Sequence, residues 1–184
     1  MLKKEMTKVE IEKELNSQGD YVRIDNITRL MKENIPTDIK RFLSLKLVEV
    51  YERRVMFADA AIMYEKLVEI SVLRTDKINY LTKAAECYIK AGFFDRSDLA
   101  VKKAVSEATA IEKTKITNSI RDFYKSQAQI YENEKRRDRA AKTYEKMLTL
   151  NYSDAEKKEI NQKLSGLYKN LGRIEQYIAI QKKI

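Results

Sequence analysis

Four times along the chain a helix-like pattern closes on a tyrosine, with similar residue types at the same distances around it. The stretches are residues 44–67, 81–104, 124–147 and 161–184, and the tyrosines are Tyr51, Tyr88, Tyr131 and Tyr168. Three positions before each stands Val48, Ala85, Ala128 or Ser165, and nine positions after stand Ala60, Ser97, Ala140 and, in the last copy, Tyr177. Thirteen after come Tyr64, Val101, Tyr144 and Gln181; sixteen after come Leu67, Ala104, Met147 and Ile184. Small residues at the first two positions let a second helix approach the first closely, while the ring and the later apolar residue fill the space between pairs. A unit of this kind cannot bury its apolar face alone and must stack on its neighbours.

Turns stand where each first helix must end, at residues 55–57, 92–94, 136–138 and 172–174. Gly92 and Gly172 suit a left-handed helix terminus, and Asp95 and Asp138 are expected to cap the helix that follows. The pattern resembles the tetratricopeptide repeat. In the second copy Leu81, Ala84, Ala85, Tyr88, Gly92, Phe94, Ser97, Val101 and Ala104 fall on its signature positions, and the resemblance covers residues 41–184. The tyrosines lie 37, 43 and 37 residues apart, against the usual period of about 34, and residues 107–120 absorb most of the surplus. Such elongated pairs are similar to those of the soluble NSF-attachment (SNAP) proteins, as is the run Ala84–Ala85–Glu86–Cys87–Tyr88.

The resemblance implies an all-α fold, an antiparallel helix-pair array winding into a right-handed superhelix of about nine or ten helices. Residues 20–35 carry Ile24, Ile27, Leu30 and Met31 at helical spacing. Pro36 ends that helix, and Thr37 or Asp38 is expected to cap the next. A shorter amphipathic helix is expected within residues 2–15. The domain plan is thus an N-terminal helical extension or cap over residues 1–36, then four pairs at about 41–74, 78–112, 116–150 and 154–184. No Ser/Gly/Pro-rich linker interrupts it, so one structural domain is expected.

Composition bears on function mainly by exclusion. Four glycines and one proline in 184 residues suit helices joined by short polar corners. Histidine is absent, which removes the commonest metal ligand and general base. No phosphate-cradling glycine loop or paired-cysteine spacing occurs, so no catalytic residue, cofactor or metal is expected and the chain is not read as an enzyme. The lone Cys87, beside Tyr88, is expected to be a buried thiol rather than half of a disulfide. No apolar stretch is long enough to span a bilayer, and the first fifteen residues lack the apolar core of a signal peptide, so a cytoplasmic location is expected.

The net charge is +9, with 28 acidic residues spread among 37 basic ones. It raises nucleic-acid binding, to RNA or single-stranded DNA, as a rival function. Lys135–Arg136–Arg137 with Arg139 is the densest basic run, at an expected corner. Seven of the eleven tyrosines, however, sit at packing positions of the repeat. The leading expectation is a scaffold or adaptor that holds a protein or peptide partner. Self-assembly through the C-terminal helix, with Ile178, Ile180 and Ile184, is the third expectation, and it would make a homodimer.

By the resemblance, the first helix of each pair lines a groove. Its positions carry Phe42, Lys46, Glu49 and Arg53 in the first copy, Asn79, Lys83, Glu86 and Lys90 in the second, and Lys125, Gln129 and Asn133 in the third. Some members clamp a terminal carboxylate with lysines, asparagines and an arginine. Here Leu45, Glu49, Lys83, Asp122 and Ser126 occupy those places and only the lysine could serve. The mixed charge suits a polar peptide or another helical protein.

Overall fold

The computed structural model describes residues 2–182, and among them the chain is all-α, with ten helices and no strand. They are α1 (Lys8–Asn16), α2 (Asp20–Leu30), α3 (Thr37–Arg53), α4 (Phe57–Glu69), α5 (Arg74–Ala91), α6 (Phe94–Glu107), α7 (Ala110–Asn133), α8 (Arg137–Leu148), α9 (Asp154–Leu171) and α10 (Ile174–Gln181). The chain forms two compact units, Met1–Thr109 and Ala110–Ile184. In the first, α2 to α6 pack each against the next, and in the second α7 to α10 do the same. The surplus length between Tyr88 and Tyr131 lies largely in α7, at 24 residues the longest helix described.

One corner geometry recurs at all four tyrosines. Four residues after each, the backbone turns left-handed, at Val55 (φ 60°), Gly92 (φ 83°), Lys135 (φ 57°) and Gly172 (φ 69°). The next N–H then reaches back to the tyrosine carbonyl: Met56 to Tyr51 at 2.8 Å, Phe93 to Tyr88 at 2.9 Å, Arg136 to Tyr131 at 2.8 Å and Arg173 to Tyr168 at 2.9 Å. This six-residue closure satisfies carbonyls that the helix end would otherwise orphan. Glycine does this without steric cost, whereas Val55 and Lys135 hold a conformation that a Cβ disfavours.

The second helix then starts without a side-chain cap. Phe93 is the N-cap of α6 and Arg136 that of α8, with Asp95 and Asp138 one turn-position inside. Pro36 likewise precedes α3, which begins at Thr37. The three expected aspartate or threonine caps are therefore corrected. The tight corner leaves no residue between left-handed terminus and N-cap, so these carboxylates favour the first turn by charge alone. True capping boxes occur elsewhere, Thr7 with Glu10 on α1 and Ser153 with Glu156 on α9.

The small residues do what the spacing requires. Ala85, Ala128, Ala60, Ser97 and Ala140 are all fully buried, so paired backbones approach where they stand. Large side chains such as Leu43, Leu67, Tyr88 and Leu164 fill the rest of the two cores. Each fully buried Leu, Ile or Val contributes roughly 1.5–3 kcal/mol against the entropy of ordering it. The four anchor tyrosines are at most 9 % exposed.

Polar ties repeat in register as well. Tyr88 donates to Glu65, 23 residues earlier, at 2.8 Å, and Tyr168 donates to Glu145, also 23 residues earlier, at 2.9 Å. Lys46 pairs with Glu12 at 2.6 Å and Lys163 with Glu132 at 3.5 Å, each lysine lying five positions before its tyrosine. At the same register before Tyr131 the sequence has Ala108 and Ser126. Neither the carboxylate acceptor nor the lysine is available from those side chains, and the division into units falls at Thr109 and Ala110.

Candidate partner-binding clefts

In the second unit α7, α8 and α9 enclose a cleft of about 240 Å³. Lys125, Gln129 and Glu132 reach it from α7, Tyr144 and Met147 from α8, and Glu156, Glu159, Ile160 and Lys163 from α9. Helical spacing sets this arrangement, because positions 125, 129 and 132 share one face of α7, and 156, 159, 160 and 163 share one face of α9. Expected groove residues Lys125 and Gln129 are thus brought together; Asn133, exposed at the end of α7, does not line the cleft.

Most charges in the cleft are already committed. Glu132 accepts from the Tyr144 phenol at 2.8 Å and faces Lys163. Burial, then the Glu132 bond, raises the Tyr144 pKa above its ordinary value. Glu156 accepts from Lys125 at 2.6 Å and from Arg121 at 3.0 Å while closing the capping box with Ser153. Lys125 is the largest cause, the Ser153 backbone the next, of a carboxyl pKa lowered to about 2. Gln129 and Glu159 lie exposed at the edge. What the cleft offers is the Gln129 amide and the Glu159 carboxylate over a small apolar floor.

The corresponding positions in the first unit hold Glu49, Glu52, Tyr64, Asn79, Tyr80 and Lys83. Tyr64 and Tyr80 stack with ring centroids 6.2 Å apart, where the second unit has Tyr144 and Ile160. Lys83 pairs with Glu86 at 2.8 Å, and Glu52 also stabilises its charge. Asn79 and Glu49 are exposed. Lys90 lies 4.9 Å from the Phe57 ring centroid. Cys87, 1 % exposed, donates its thiol to Glu52 at 3.3 Å, and burial pushes its pKa up to about 12.

Three expected groove residues of the first copy are engaged within the unit. Lys46 is held by Glu12 of α1 and lies 5.5 Å from the Phe42 ring centroid. Arg53 is paired with Asp20 of α2. Together α1 and α2 lie over this face of α3, where Lys46 and Glu49 line only a crevice of about 30 Å³. Sequence reasoning omitted the α9 contribution, Glu156, Glu159, Ile160 and Lys163. Its signal was the lysine five positions before Tyr168, matched before Tyr51 and Tyr88 by Lys46 and Lys83.

Among the described residues no helix is long and apolar enough to cross a membrane. No group of three or more His, Cys, Asp or Glu there could hold a metal. No protein-family model matches the chain, and no curated protein matches it. Among solved structures, the crystal structure of BtubC (BKLC) from P. vanneervenii aligns over 89% of this chain and 69% of that chain, with 16% identity and a TM-score of 0.38.

Proposed function

We propose that the chain is a tetratricopeptide-like adaptor that holds a polar segment of a protein partner against the first-helix faces of its pairs. The observation that carries this reading is the cleft of about 240 Å³ between α7 and α9, where Gln129 and Glu159 stand exposed around an apolar floor. An extended or helical segment brings amide and carboxylate groups that such an edge can pair, and apolar side chains that the floor of Met147 and Ile160 can cover. In the first unit Glu49, Asn79 and Lys83 offer the equivalent polar set, while Lys46 and Arg53 are committed to α1 and α2. The absence of histidine and the commitment of the cleft's lysines and carboxylates to one another support holding over catalysis.

The test is affinity recovery from the native cell lysate with Gln129→Ala/Lys163→Glu and, separately, Asn79→Ala/Lys83→Glu. Loss of a bound protein at unchanged helicity is expected for at least one pair. Equal recovery with both would remove these faces from the account. Lys46→Glu and Arg53→Glu belong to a different experiment, since they break contacts inside the unit.

A further inference from the structure

Another cleft of the first unit lies on other surfaces, between α2, α3 and α4, with a volume of about 490 Å³. Met31, Leu47, Met63 and Ile70 form an apolar floor, joined by the ring of Tyr51 and the buried Ser44. The rim holds Lys32 from the chain just after α2, Lys40 from α3 and Lys66 from α4, with Glu69 the single carboxylate. None of these three lysines forms an ion pair among the described residues.

The same place recurs one repeat later and shows that this chemistry is not a by-product of the fold. Shifted by 37 residues, Thr28, Lys32 and Ile70 become Glu65, Glu69 and Glu107, and Ser44 becomes Leu81. Lys40 and Lys66 become Lys77 and Lys103, and these residues do line a cleft, of about 280 Å³. The lining of the first cleft is net +2 and that of its counterpart net −1. The first is larger and uncompensated, and two flexible methionines lie in its floor, a residue type that adapts to varied apolar partners.

We infer that the α2–α3–α4 cleft is a second docking site, for an acidic peptide segment that inserts apolar side chains between three lysines. The cations come from three separate segments, the chain after α2, α3 and α4, so a single anionic headgroup would meet one or two of them. A segment with carboxylates on both sides of an apolar anchor meets all three. The floor alone would take any apolar group; the rim selects charge and makes the affinity fall with salt. This site does not depend on the first-helix groove, and it can fail or hold independently of it.

The probe is a fluorescein-labelled peptide of about twelve residues with Leu and Phe flanked by Asp and Glu, read by fluorescence anisotropy at about 50 and 300 mM salt. Binding should weaken with salt. Lys32→Glu/Lys40→Glu/Lys66→Glu should reduce affinity by at least about tenfold, and Ile70→Ser, which leaves the rim intact, should also reduce it. Lys77→Glu/Lys103→Glu should leave it within about twofold. Circular dichroism confirms that each variant is folded. The inference is overturned if the triple variant binds within twofold of the parent. It also fails if a peptide with lysines in place of the acidic residues binds equally well. Displacement of the peptide by decanoate or by vesicles of anionic phospholipid at comparable site occupancy would mean a lipid site and would likewise overturn it.

Discussion

Lys135→Gly should stabilise the protein although it removes no clash and adds no contact. Lys135 is exposed and sits at φ 57°, at the corner position that Gly92 and Gly172 fill in the second and fourth copies. The left-handed conformation costs a residue with a Cβ roughly 1–2 kcal/mol, and glycine returns roughly 0.5–1 kcal/mol of that through its greater backbone entropy when unfolded. The net gain is about 0.5–1 kcal/mol. It corresponds to roughly 2–4 °C in Tm per kcal/mol if the whole chain unfolds together, and roughly 4–8 °C per kcal/mol if the second unit unfolds alone. Gly172→Lys is the mirror experiment. A Cβ built at Gly172 meets nothing within 4 Å, so its cost is conformational, about the same size with opposite sign. Urea denaturation followed at 222 nm reads both, as shifts in midpoint at constant slope. A neutral or destabilising Lys135→Gly, or a neutral Gly172→Lys, would refute the corner argument. Val55→Gly should gain less, because Val55 is 60 % exposed and glycine forfeits the apolar contact of the covered remainder.

Two further outcomes follow from the side-chain chemistry. Glu156→Gln should destabilise the second unit at neutral pH by loosening both the capping box and the Lys125 and Arg121 ties. The folded pKa of Glu156, about 2, lies below its ordinary value of 4.5. Its stabilisation is therefore complete above about pH 4.5 and lost as pH falls through about 2, so the parent and variant denaturation midpoints should converge across that window. Cys87 should react with iodoacetamide only on unfolding of the first unit, since burial both covers the thiol and raises its pKa to about 12. Labelling at the rate of a free thiol in native buffer would contradict that burial.

What the sequence made legible follows from where its information is concentrated. Helix pairing was readable because Ala85, Ala128 and Ala140 stand where only a small side chain fits, and those residues are fully buried. The corners at Gly92 and Gly172 were readable for the same kind of reason. Those at Val55 and Lys135 gave no residue signal for their left-handed backbone, which is set by the packing of the helices they join. Both capping boxes, at Thr7 and Ser153, are written in the sequence as Thr or Ser three positions before Glu. The first helix of the second pair starts at Arg74 and that of the third at Ala110, against expected pair starts of about 78 and 116. Of the expected groove, Lys125 and Gln129 could be placed from register alone. That Lys46 and Arg53 would be held by Glu12 and Asp20 depends on where α1 and α2 pack, which their own sequence does not state. Ile184 at the last repeat position lies outside the described residues.

Site-specific photo-crosslinking tests the central claim most directly. A photoreactive residue placed at Gln129 or Asn79, on first-helix faces, should capture the same protein from the native lysate. The same residue at Lys102 or Lys142, exposed on second helices, should not. Capture from Lys102 or Lys142 with none from Gln129 and Asn79 would put the partner on another surface and contradict the account.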